Sequence, residues 1–172
     1  MTERYIDRPW IRKPDQNFDA PAHPDPEGLY SNENIDKSLV AMRGKSYEMG
    51  LKRGVAFLAF WPYTSPFPRV AFAVDSEIQR DPNPDKEGDI GTNYFGIAMS
   101  KLAYMLATHT NSGSEVRPVK TGEVAYKGGL IVITEEGSEI FAGYSGGTEE
   151  QDVQIALMGI STLIELSEAS PR

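Results

Sequence analysis

The chain has 172 residues, enough for one domain with an appendage. Seventeen Lys and Arg face 25 Asp and Glu, a formal net charge of -8 that argues against an open nucleic-acid surface or an anionic-membrane binder. With no cysteine and two histidines, disulfides, thiolate chemistry and a multi-histidine metal site within one chain are set aside.

No signal-peptide core opens the sequence and no apolar run is long enough to span a bilayer, so the expected location is cytoplasmic. Residues 1–30 carry Pro9, Pro14, Pro21, Pro24 and Pro26 among polar residues and show neither helix nor strand period. They read as an extended Pro-rich arm, with Tyr5, Ile6, Trp10, Ile11 and Phe18 as apolar anchors and His23 as a surface residue. Residues 31–172 form the domain proper.

A helix is expected over 31–52, with Ile35, Leu39, Met42 and Met49 on its apolar side and Gly54 ending it. The continuous apolar run 55–61 reads as a strand buried on both faces, and 69–75 as a second strand beyond a proline-rich loop. Residues 76–90 read as a solvated acidic loop. The next helix starts at Thr92 or Asn93 and runs to about residue 110, apolar almost all the way round except for Lys101. Such a helix needs cover on two sides; the sheet supplies one, and a second subunit is the simplest cover for the other. A short strand is expected near 116–124. Two strands, 129–134 and 138–144, then form a hairpin, and a last helix covers 148–167. Thr148 and Gln151 have capping-box spacing there, with Glu149, Glu150 and Asp152 in a first turn where the dipole favours negative charge. That acidity argues against reading the Gly146-Gly147 turn as an anion cradle. Short connections between neighbouring strands favour an α+β fold, a single antiparallel sheet of four to five strands with helices packed on it.

Three blocks carry a resemblance. Gly143-Tyr-Ser-Gly-Gly-Thr-Glu-Glu-Gln-Asp-Val-Gln-Ile-Ala156, with Lys127-Gly-Gly-Leu-Ile-Val before it, resembles the S-G-G-T-x-E-Q-D signature of the GlcG/HbpS-like haem-binding family. Ile97-Ala-Met-Ser-Lys-Leu-Ala-Tyr104 is similar to its I-A-x-x-K-A-x-T-A helix, and Phe72-Ala-Val-Asp75 to its strand ending in an acid. The loop at 61–68, the length of the 77–90 loop and the N-terminal arm depart from that pattern. The resemblance implies a profilin-like α-β-α sandwich that tends to oligomerise, and it implies haem as a ligand only for part of a family whose members differ in function.

Lys101, the lone charge in its helix, is either a desolvated base or amine nucleophile, or a structural group paired with a carboxylate such as Asp75. Haem iron accepts His, Met or Tyr, so His109, Tyr104 and Met105 are nominal ligands, with Arg117 and Lys120 as basic groups for a carboxylate or propionate. Glu150 and Asp152 are explained by the helix cap. Trp61, Tyr63 and Phe67 line a pocket or pack beneath the arm. Two readings follow: a small-ligand-binding protein for haem or a related planar ligand, without nucleic acid or membrane as partner and homo-oligomeric; or a small cofactor-independent catabolic enzyme acting on an organic acid or aromatic compound, with Lys101 or His109 in proton transfer.

Overall fold

In the computed structural model, which describes residues 11–12, 31–63, 66, 68–134 and 137–169, the apolar run becomes the buried middle of a sheet. Two-residue β1 (Ile11–Arg12) begins the described chain, and β2 (Val55–Trp61) is buried at every position before Trp61. β2 pairs antiparallel with β3 (Arg69–Val74) on one side. On its other side lies β7 (Glu139–Ser145), then β6 (Gly129–Thr134), and β1 closes that edge. The order is β1-β6-β7-β2-β3, antiparallel throughout, as the short connections lead one to expect. Of the arm expected over 1–30, only Ile11 and Arg12 are described, and they are extended. The remainder, including His23, lies outside the described residues, as does Phe67.

Alternation along β2 decides what covers each face. Ala56 and Leu58 face α1 (Asn32–Glu48) and α3 (Glu149–Ala169), packing with Leu39, Met42, Ala142, Tyr144, Ile155 and Ile160. Val55, Phe57 and Ala59 face α2 (Tyr94–Thr108), packing with Ala98, Leu102, Met105 and Phe141. The result is an α-β-α sandwich with β2 and β7 in its dry centre. Among the described residues, no helix is long and apolar enough to cross a membrane.

Local chemistry sets the element ends. Ser31 caps α1, accepting the Asn34 N–H at 3.2 Å. The helix stops at Glu48 rather than near residue 52, because Met49 caps it and Gly50 takes a left-handed φ of 75°. Gly54 is required by a tertiary contact instead, since a Cβ there would collide with the Tyr144 hydroxyl. Asn93 caps α2 through the Gly96 N–H at 2.9 Å. The 76–90 segment is not wholly irregular, since β4 (Gln79–Arg80) pairs with β5 (Thr92–Asn93). Asp89 organises it, accepting from Arg80 at 2.7 and 2.8 Å and from the Asn83 and Gly91 N–H groups at 2.9 and 3.1 Å. These donors hold its carboxyl below the usual range. The strand expected near 116–124 does not form. Arg117 instead grips Glu123 with two hydrogen bonds of 2.7 Å, and the Lys120 N–H adds a third at 2.8 Å, folding the segment into a loop.

In the centre of the sheet Phe57 lies opposite Gly143, and its ring fills the place where a Cβ would stand. Gly143→Ala is therefore expected to cost about 1–3 kcal/mol by overpacking, read as a lower denaturation midpoint with an unchanged slope.

Candidate functional site

Two polar arrangements stand out, at opposite ends of the sheet. At the end where β7 runs out, Lys101 reaches from α2 past the sheet to α3. Its Nζ donates to Asp152 Oδ2 and to the Tyr144 carbonyl, both at 2.7 Å, and the residue is 1% exposed. Asp152 is 4% exposed, and its other oxygen accepts the Gly147 N–H at 2.9 Å. Gly128 makes room for the contact, since a Cβ there would lie 2.7 Å from Lys101 Nζ. Burial pushes the Lys101 ammonium below its ordinary range and the Asp152 carboxyl above its own, each shift opposed by the partner's charge.

This corrects two expectations. The partner of Lys101 is Asp152, not Asp75, and Asp152 is more than a helix-cap acid. The capping box itself is present, with Thr148 N–H to Gln151 Oε1 at 2.9 Å and Gln151 N–H to Thr148 Oγ1 at 3.4 Å. Glu150 stays exposed in the first turn. Asp75 belongs to a neighbouring node, where it accepts the Tyr144 hydroxyl at 2.5 Å and the Ser46 hydroxyl at 3.1 Å. Burial, followed by that bond to Asp75, drives the Tyr144 phenol far above its usual value. Arg43 Nε stands 3.5 Å from Asp75 Oδ1, near enough for attraction but without a hydrogen bond, so both atoms are buried and unsatisfied.

At the other end, His109 is the C-cap of α2, with a left-handed φ of 55° and its N–H on the Met105 carbonyl. Its Nδ1 lies 2.7 Å from Glu139 Oε1, and its side chain is 55% exposed. A carboxylate only accepts, so Nδ1 is the donor in this contact, and in the neutral ring the lone pair then lies on Nε2. The Trp61 ring lies beside the imidazole, 6.0 Å between centroids. Cross-strand register explains the meeting, because Trp61 at the end of β2 faces Glu139 at the start of β7. Glu139 was not among the residues singled out from sequence; its place as the first residue of a strand gives no signal of a histidine partner 30 positions earlier.

The other candidates are not gathered there. Met105 is fully buried, with its sulfur over Gly129. Tyr104 is buried too, its hydroxyl 3.5 Å from Ser114 Oγ and its ring under Arg117, 5.3 Å from centroid to guanidinium carbon. Arg117 is taken up by Glu123, whose carboxyl that contact lowers to about 2, and Lys120 is an exposed loop residue. Tyr63 is exposed, its N–H on Ser138 Oγ at 3.2 Å. A separate cleft of about 370 Å³ lies between α1 and the β3 edge, lined by Ile35, Asp36, Phe60, Arg69 and Val70 among others, and takes in none of these candidates.

No protein-family model and no curated protein matches the chain. Solved structures do. The PduOC:haem complex superposes with a TM-score of 0.55 at 16% identity, over 77% of this chain and 93% of that one. The Klebsiella pneumoniae protein ORFY, described by the family model DUF336, gives 0.52 at 14%, over 93% and 99%. HbpS lies further off, at 0.43 and 17%, over 88% and 96%. The fold is the one seen in the PduOC and ORFY structures. That is the architecture the GlcG/HbpS-like resemblance implied.

Removing one member of the buried pair strands the other in an apolar interior. Lys101→Met is expected to cost about 3–5 kcal/mol, whereas Lys101→Met with Asp152→Leu should recover most of it. Urea denaturation of the three proteins checks this, and a double variant as weak as the single one would contradict it.

Proposed function

We propose that this protein binds haem or a related planar ligand, with the His109 imidazole as the iron ligand. The observation that carries the reading is the ring anchored by Glu139: Nδ1 is committed to a carboxylate, and Nε2 has no hydrogen bond among the described residues. Metal-binding histidines commonly have this arrangement, in which the second nitrogen's partner fixes the tautomer and strengthens the donor. Trp61 adds an aromatic surface on which a planar ring system can rest. When bound, haem would supply an iron centre that accepts the imidazole nitrogen. The donor set fits a single ligand from this chain, because Met105 and Tyr104 are enclosed and Arg117 is engaged by Glu123. Support also comes from the fold shared with a protein crystallised as a haem complex.

The reading includes self-association in the cytoplasm, without nucleic acid or membrane. Phe95, Met99, Ala103 and Ala107 recur every four residues on the outer side of α2, all exposed and none charged, as expected of a helix that a second copy covers. The catabolic-enzyme reading would need Lys101 or His109 to move a proton at a substrate. Lys101 is enclosed and twice hydrogen-bonded, so its geometry does not favour that role.

A haemin titration followed by visible absorption tests the proposal. Wild type should show a saturable Soret shift, His109→Ala should lose it, and Glu139→Gln should weaken binding about 10–100-fold. Absence of a saturable shift in folded wild type removes the haem reading; a shift unaltered in His109→Ala removes the assigned ligand.

A further inference from the structure

Among the described residues, β3 is the open edge of the sheet: it pairs with β2, and no strand lies on its other side. In an antiparallel ladder every second residue turns its N–H and C=O away from the partner strand, so this edge presents a row of unpaired backbone groups. Natural edges of this kind are usually blunted by charge, proline or a bulge inside the strand. Here Arg69 stands at one end, and the interior reads Val70-Ala-Phe-Ala-Val74, with none of these.

The five residues are also a palindrome about Phe72. Alternation sends Val70, Phe72 and Val74 to the α2 face and the two alanines to the α1 face, where Ala71 and Ala73 join the core. On the α2 face the strand leaves apolar side chains exposed. Val70 is 41% exposed, Val74 37% and Ile78 45%, while the Phe72 ring lies 5.1 Å from Phe95 of α2.

The geometry points to a second copy of this chain as the occupant of the β3 edge, added antiparallel about Phe72 to make one continuous ten-stranded sheet from two five-stranded ones. A two-fold axis through Phe72 sets each residue against its counterpart: Val70 against Val74, Ala71 against Ala73, Phe72 against Phe72. Every cross-strand pair then matches in size and polarity, aromatic on aromatic and β-branched on β-branched. A two-fold pairing sets residue i against j and j against i, and the palindrome makes the two members of each such pair alike. No charge in the paired segment opposes the approach of two chains that each carry -8. The arrangement also brings the outer sides of two α2 helices towards each other on the same face of the joined sheet. The inference rests on the self-association reading above and is independent of haem.

The native chain has no cysteine, so cross-linking is clean. Val70→Cys and Val74→Cys are made as separate proteins and treated with a short bifunctional thiol reagent, alone and mixed. In this register only the mixture should link, because 70 to 70 and 74 to 74 are four residues out of step, about 13 Å apart. Val70→Lys with Val74→Lys should weaken self-association by about tenfold or more in sedimentation, through like charges set opposite one another, with an unchanged circular dichroism spectrum. A monomeric wild type overturns the proposal together with the self-association reading. A self-associating protein whose mixture does not link, or whose association withstands the two lysines while Met99→Lys abolishes it, overturns the β3 seat and leaves α2 as the interface.

Discussion

One constraint governs the architecture: an ammonium and a carboxylate buried together between two helical layers. Neither Lys101 nor Asp152 can be stranded without a large desolvation penalty, so α2 and α3 must keep their relative positions at the end of the sheet. The backbone there is shaped around that contact. Gly128 leaves space for the two side chains, and Gly147 sends its N–H to the carboxylate. Tyr144, next to last in β7, accepts from Lys101 through its carbonyl and donates its hydroxyl to Asp75, which joins the α1 side of the molecule to the same polar seam. An apolar pair in its place is expected to keep most of the stability, so what the ion pair adds is to specify which layers meet and in what register.

The opposite end of the sheet has different physics. His109 and Glu139 are held by the same kind of charge-assisted bond, yet the imidazole is largely exposed and its second nitrogen is open. Lys101 is enclosed with its ammonium twice hydrogen-bonded, whereas His109 stands at the surface with one ring nitrogen engaged. Both residues extend from α2, one within the helix and one at its cap, and that helix packs on the sheet through only one of its apolar sides.

Much of this was legible in the sequence, and the failures have physical causes. The run 55–61 announced a doubly buried strand because each of its residues is apolar, and Thr148 with Gln151 marked the start of α3 because their capping bonds are local. Lys101 was conspicuous as the one charge on an apolar helix. Its partner was not, since Asp152 lies 51 positions away in another layer and already had a sufficient local explanation in the cap. The end of α1 was misplaced because Gly50 and Gly54 both follow the helix, and only tertiary contact reveals that Gly54 serves the Tyr144 hydroxyl. His109 stands out in the sequence, but Glu139 meets it through sheet register, which is not written in the spacing of either residue. A strand is expected near 116–124, whereas the ion pair between Arg117 and Glu123 makes a loop there.

The proposed ligand at His109 and the buried pair at Lys101 lie at opposite ends of the sheet and should act independently. Haemin affinity of the Lys101→Met, Asp152→Leu double variant tests it most directly, once the variant is shown to be folded. Its affinity is expected to lie within about threefold of wild type, a difference under about 1 kcal/mol. A folded double variant that no longer binds haemin, where wild type does, would place the buried pair in the ligand site and contradict the account.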